Sequence, residues 1–151
     1  GSGLGSTFTA WKLPLHTPAA QKREHLLGSY GLNHAGVATL TAQPRGRRKM
    51  SSSNTPALVD CVSWGAQAGY DEEPPRYEGE LTGTGLRNCC MNRHDGGVNS
   101  LLLDWSARKV GLKELWTLQW SSWFDVQNAW THAGGVQPED WPAWMRRFED
   151  Y

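Results

Sequence analysis

The stretch Asn92–Trp120, NRHDGGVNSLLLDWSARKVGLKELWTLQW, constrains the fold of this chain more than any other. Val98 to Leu103 is a compact apolar run and predicts a buried strand. Asp104-Trp105-Ser106 interrupts it, and Ala107 to Val110 predicts a return strand that ends at Gly111. Leu112, Leu115, Trp116 and Trp120 then recur at helical spacing, which predicts a short amphipathic helix. Strand, turn, strand and helix in fewer than thirty residues make a packing unit without an evident catalytic centre.

The same stretch carries a family resemblance. His94 is followed by nine residues and then Asp104, within an RH-x-G-x-x-N-x-x-x-x-D frame. That frame resembles the C-terminal signature of bacterial pseudopilin-like, type II secretion protein G-like chains with a prepilin-type processing-associated H-X9-DG domain. Lys109 to Leu118 (KVGLKELWTL), Gly134 to Pro142 (GGVQPEDWP), Trp144-Met145 and Phe148 to Tyr151 are similar to one branch of the group. So are Gly28 to Asn33 (GSYGLN) and Asn54-Thr55-Pro56 with Asp60. Trp105 departs from the pattern, standing where the motif has glycine.

The resemblance implies an α+β, pilin-like globular domain. It also implies a hydrophobic N-terminal helix that anchors such proteins in the inner membrane and later forms the filament core. No run of 18 or more apolar residues is present in this sequence. We therefore read residues 1–16 as a flexible or vector-derived segment and 17–151 as one pseudopilin-like domain, the soluble portion of a longer protein.

Composition narrows the function classes. Fifteen basic and fifteen acidic residues give a formal charge of zero, which argues against a general nucleic-acid or anionic-membrane binder. Nine tryptophans make packing aromatic, and each indole N–H asks for an acceptor. Three cysteines, Cys61, Cys89 and Cys90, cannot form a closed disulfide set. In an oxidising compartment Cys61 could bridge to Cys89 or to Cys90; all three also suit small buried thiols.

Along the chain, Thr17-Pro18 predicts a helix start, Ala19 to Leu27 a short helix, and Gly28 its cap. Val37 to Thr41, Ala57 to Trp64 and Leu86 to Met91 predict strands. Gln43 to Asn54 and Gly69 to Gly85 predict loops, and Ala143 to Phe148 a terminal helix. The fold expected is a short N-terminal helix on an antiparallel sheet, with an aromatic, loop-rich C-terminal segment over it.

Four polar residues stand out. His94 and Asp104 invite an acid–base or metal reading, with Asp60 as a third member. No spacing supplies further ligands, so His94, Asn99, Asp104 and Asp60 are read as a polar network that fixes the hairpin. Calcium is the one cofactor the resemblance suggests, with oxygens from Asp125, Asn128, Glu139, Asp140 and Asp150 in the relevant region. Trp130, Trp141 and Trp144 lie in loop-like sequence and are read as an exposed binding or subunit-contact surface.

The expected function is a non-enzymatic structural subunit of a type II secretion or related filament, periplasmic or on the cell surface. Its partners would be copies of itself, other pseudopilins, secreted proteins or polysaccharide. An extracellular carbohydrate-binding module using exposed tryptophans is the alternative. A metal-dependent hydrolase around His94, Asp60 and Asp104 ranks third.

Overall fold

The computed structural model describes residues 5–6, 9–14, 25–41, 49–70, 72–80 and 85–151. The order is β1 (Trp11–Pro14), β2 (His25–Gly28), β3 (Tyr30–Leu32), α1 (His34–Thr41), β4 (Pro56–Asp60), β5 (Gly97–Leu102) and β6 (Ala107–Gly111). β1 and β2 form an antiparallel pair. The remaining strands form a second antiparallel sheet in the order β3-β4-β5-β6. With its helix and antiparallel sheets, the chain is α+β.

The β5–β6 hairpin forms as its alternation demands. Val98, Ser100 and Leu102 point to the buried face, where Val98 lies opposite Val110. Asn99 and Leu101 point the other way, opposite Lys109 and Ala107. The turn is tight: Trp105 N–H donates to the Leu102 carbonyl at 3.0 Å, and Leu102 N–H donates to the Ser106 carbonyl at 2.8 Å. Asp104 Oδ1 accepts from Ser106 N at 3.0 Å and from its hydroxyl at 2.6 Å. Trp105 takes the left-handed conformation at φ 68°, with its side chain 80% exposed. The tight turn that glycine would favour is thus made by a tryptophan. Trp105→Gly relieves left-handed strain and forfeits little burial, so it should stabilise the domain by about 0.5–1 kcal/mol. A urea melt measures the gain; a loss would mean the indole makes contacts that matter to the fold.

Several expected elements differ. Val37 to Thr41 belong to helix α1, not to a strand. Asn33 overrides their β-branched preference: its Oδ1 accepts Gly36 N–H at 3.1 Å, and its carbonyl accepts Val37 N–H at 3.0 Å. The fully buried Asn33 also donates from Nδ2 to the carbonyls of Pro56 and Trp120, both at 2.9 Å, tying helix, sheet and C-terminal segment together. His25, Leu26, Leu27 and Gly28 lie in β2 rather than at a helix end. The rest of the helix expected over 19–27 lies outside the described residues, as does most of the basic loop, 42–48. Leu86 to Met91 begins with a tight 3-10 turn, Leu86–Asn88, entered through Gly85 at φ 107°.

The helix expected after Gly111 is a single 3-10 turn, Lys113–Thr117, after which Leu118 is extended. Leu112, Leu115, Trp116, Leu118 and Trp120 are nevertheless all buried, so the apolar spacing marks the core without dictating an α-helix. Side chains replace helical bonds here. Asn54 Nδ2 donates to the Thr117 carbonyl at 2.9 Å, and Asn128 Nδ2 donates to the Trp116 carbonyl at 3.0 Å. Residues 143–148 form successive turns instead of the expected terminal helix, with Met145 N–H on Pro142 O and Phe148 N–H on Met145 O. From Leu112 onward, Trp116, Trp120, Phe124 and Trp141 join the buried sheet residues in one hydrophobic cluster, with Trp130, Trp144 and Phe148 packed against it. Among the described residues no helix is long and apolar enough to cross a membrane.

Candidate functional site

The densest polar constellation centres on Asp60, the last residue of β4, which is 2% exposed. Burying a carboxylate without partners is costly, and this one has three. Asn99 N–H donates to Oδ2 at 2.7 Å, His94 Nε2 lies 2.9 Å from Oδ2, and Arg93 Nη1 lies 3.4 Å from Oδ1. Arg93 extends the network, donating from Nη1 to the Ser29 carbonyl and from Nη2 to the Ser6 carbonyl, each at 2.7 Å. One buried anion thus joins β4, β5, the Asn92–Gly97 turn, the entry to β3 and the N-terminal segment.

Protonation follows from the partners. A carboxylate only accepts, so His94 Nε2 carries a proton toward Asp60. Asn99 Nδ2 lies 3.1 Å from the same nitrogen; a half-turn of that amide presents its oxygen, which suits an N–H better. The turn that carries the ring is held by Gly96 N–H on Asn92 Oδ1 at 2.7 Å, with Asp95 at φ 48° and Gly96 at φ 78°. A cleft of about 380 Å³, lined by Thr9, Ala10, Ser29, Tyr30, Asp60, Arg93 and His94, opens beside the cluster.

Of the four motif residues, three meet: His94, Asn99 and Asp60. Asp104 does not join them. It sits exposed at the far end of β5, where the Ser106 hydroxyl and N–H hold its carboxyl below the usual range. The expected His94–Asp104 proximity is therefore corrected: β5 runs between them, and Asp60 takes the place given to Asp104. Arg93, adjacent to His94 in the RH pair, was the member the motif held without a role. Its guanidinium lies beside Asp60, with Nη1 3.4 Å from Oδ1. Among the described residues no three His, Cys, Asp or Glu side chains converge as a metal-binding group.

Four of the five residues named for calcium, Asp125, Asn128, Asp140 and Asp150, make local hydrogen bonds or ion pairs. Asp125 Oδ1 accepts Gln127 N–H at 3.0 Å, and Asp140 Oδ2 accepts Gln137 N–H at 2.8 Å. Asn128 Oδ1 accepts Trp130 N–H at 2.9 Å, and Asp150 pairs with Lys113 Nζ at 2.8 Å. Lys113 itself is buried, with Nζ also donating to the Phe148 carbonyl at 2.8 Å.

The expected tryptophan surface is corrected at Trp141. Trp141 is 1% exposed and packs edge-on against Trp116, with ring centres 5.5 Å apart; Trp130 lies at the same distance on another side. Trp144 is half-buried, and its indole donates to the Pro75 carbonyl at 2.8 Å. Trp116 Nε1 likewise donates to the Glu72 carbonyl at 2.7 Å. These indoles hold the 72–75 excursion to the core, because a buried indole N–H needs an acceptor. The exposed tryptophans are Trp64, Trp105 and Trp123.

Glu72 closes the base of that excursion, its carboxylate accepting the N–H groups of Gly69 and Leu86. Burial outweighs these donors and Arg87, and raises its pKa above the ordinary 4.5. The folded state then binds the proton more tightly than the unfolded state between 4.5 and the raised value. Stability from this group is gained as pH falls through that window and lost as pH rises. Urea midpoints of wild type and Glu72→Ala, measured from neutral pH down to 4.5, should therefore diverge in favour of wild type.

No family model, curated protein or solved structure matches the chain.

Proposed function

We propose that the chain is a non-enzymatic, pilin-like domain acting as a pseudopilin-like subunit of a type II secretion or related filament at the bacterial cell envelope. The observation that carries this reading is the asymmetry of the four-stranded sheet. One face is sealed by the aromatic C-terminal segment. The other presents Tyr30, Leu58, Leu101 and Ala107 along a shallow depression of about 580 Å³. Tyr30 is 46% exposed, and Leu58 and Leu101 are half-buried. A rigid domain with a partly apolar sheet face suits lateral packing between subunits or against an assembly helix. The Asp60 cluster fits the same role by fixing β4 to β5 and to the adjoining turn instead of performing chemistry.

Fractionation of the full-length protein from its own cells tests this. The wild type should recover in a sheared-filament or membrane-associated assembly. Leu101→Asp should deplete that fraction about tenfold, the effect of about 1.4 kcal/mol at a contact, with the melting temperature of the purified domain little changed. Recovery of the wild type only as a free monomer, or normal assembly of Leu101→Asp, contradicts the proposal.

A second reading, carbohydrate binding, is favoured by one feature. Tyr70 and Trp123, 67% and 60% exposed, flank a cleft of about 310 Å³ that Gln67 and Ser121 also line. Aromatic faces beside amide and hydroxyl groups suit a sugar ring. Quenching of tryptophan fluorescence by glucans, abolished in Trp123→Ala, would support it.

A further inference from the structure

Cys61 and Cys89 are both fully buried, and their sulfurs lie 3.6 Å apart. Cys61 follows β4 directly, and its N–H is fixed to the Ser29 carbonyl at 2.8 Å. Cys89 closes the 86–88 turn, with its N–H on the Leu86 carbonyl at 2.9 Å. Two well-held backbones therefore bring these sulfurs into van der Waals contact. A disulfide needs about 2.05 Å, so each sulfur would move by about 0.8 Å, within reach of small side-chain rotations. Cys90 is buried too, and burial, with the charge of Glu78 as a lesser cause, pushes its pKa up.

We propose that Cys61 and Cys89 form a disulfide site, closed by exchange with an oxidised dithiol donor, and that Cys90 stays a free thiol. The Cys61 thiolate attacks one sulfur of the donor disulfide, forming a mixed disulfide and releasing one donor thiolate. Cys89 then loses its proton and attacks Cys61 Sγ, releasing the second donor thiolate. The chain gives up two electrons and two protons, and the donor ends as a dithiol. The order of attack follows the contact: Cys61 accepts the Cys89 S–H, which lowers the Cys61 pKa, while Cys89 is raised by that bond and by burial.

Both sulfurs are shielded in the folded chain, so exchange takes place before the 62–88 excursion closes or through its local opening. The bond would then tether at its base the excursion that supplies the Glu72 and Pro75 carbonyls to Trp116 and Trp144. This site rests on geometry alone and is independent of the filament reading.

The test uses oxidised glutathione as donor. The chain is refolded with it, denatured without reductant, alkylated and weighed. Wild type should take one alkyl group and Cys90→Ala none, each with the two-hydrogen loss of one bridge. Cys89→Ser should show no bridge. Oxidation should raise the wild-type melting temperature by about 5–10 °C. Three alkylated thiols in wild type, two in Cys90→Ala, or a Cys61–Cys90 bridge in Cys89→Ser at wild-type yield would each overturn the proposal.

Discussion

Asp60→Ala is expected to destabilise the domain by about 3–5 kcal/mol, the usual cost of removing one partner from a buried ion pair. Arg93 has a side chain only 8% exposed, and it would keep its carbonyl partners while losing its counter-charge. The Asn99 N–H would lose its acceptor at the centre of the sheet. At about 2–4 °C per kcal/mol for a chain of this size, the melting temperature should fall by about 6–20 °C. His94→Ala should cost far less, about 1 kcal/mol, because the ring is 42% exposed and water can replace it at Asp60. A ranking of Asp60→Ala well above His94→Ala in denaturant melts is the signature of a structural anion. Equal, small losses would contradict it.

Trp141→Ala should be comparably severe, about 3–5 kcal/mol, since truncating a buried tryptophan forfeits its transfer energy and opens a cavity. Here the cavity would lie between Trp116 and Trp130, beside the Lys113 ammonium 5.8 Å from the Trp141 ring centre. Collapse around a buried cation is unfavourable, which places the expected cost toward the upper end. Trp123→Ala, at a side chain 60% exposed, should change stability by less than about 0.5 kcal/mol. Urea denaturation of the two variants side by side separates core from surface tryptophan. A mild Trp141→Ala would mean that the C-terminal segment is loosely applied.

The β5–β6 hairpin was legible because period-two burial and its turn residues agree locally. Asp60 was legible as a carboxylate that must find partners, although which partners depended on bringing residues 60, 93, 94 and 99 together across strands. The pairing of His94 with Asp104 failed because a motif spacing says nothing of which end of a strand each residue occupies. α1 was hidden by Val37, Thr39 and Thr41, whose strand preference yields to the Asn33 cap. The C-terminal segment misled in a different way. Its apolar spacing correctly marked core positions, but turns, Asn128 and indole-to-carbonyl bonds satisfy the backbone where α-helical bonds were expected. Trp141 read as exposed because loop-like sequence was equated with surface, whereas here the irregular segment is itself the inner layer.

The most direct measurement is a thermal melt of wild type and Asp60→Ala with and without EDTA, with elemental analysis of both proteins. A structural Asp60–Arg93–His94 cluster gives a wild-type melt indifferent to chelator, no stoichiometric metal, and a large fall in melting temperature for Asp60→Ala. A stoichiometric ion that EDTA strips, together with an Asp60→Ala protein that loses the ion but keeps its melting temperature, would show instead that the cluster is a metal site.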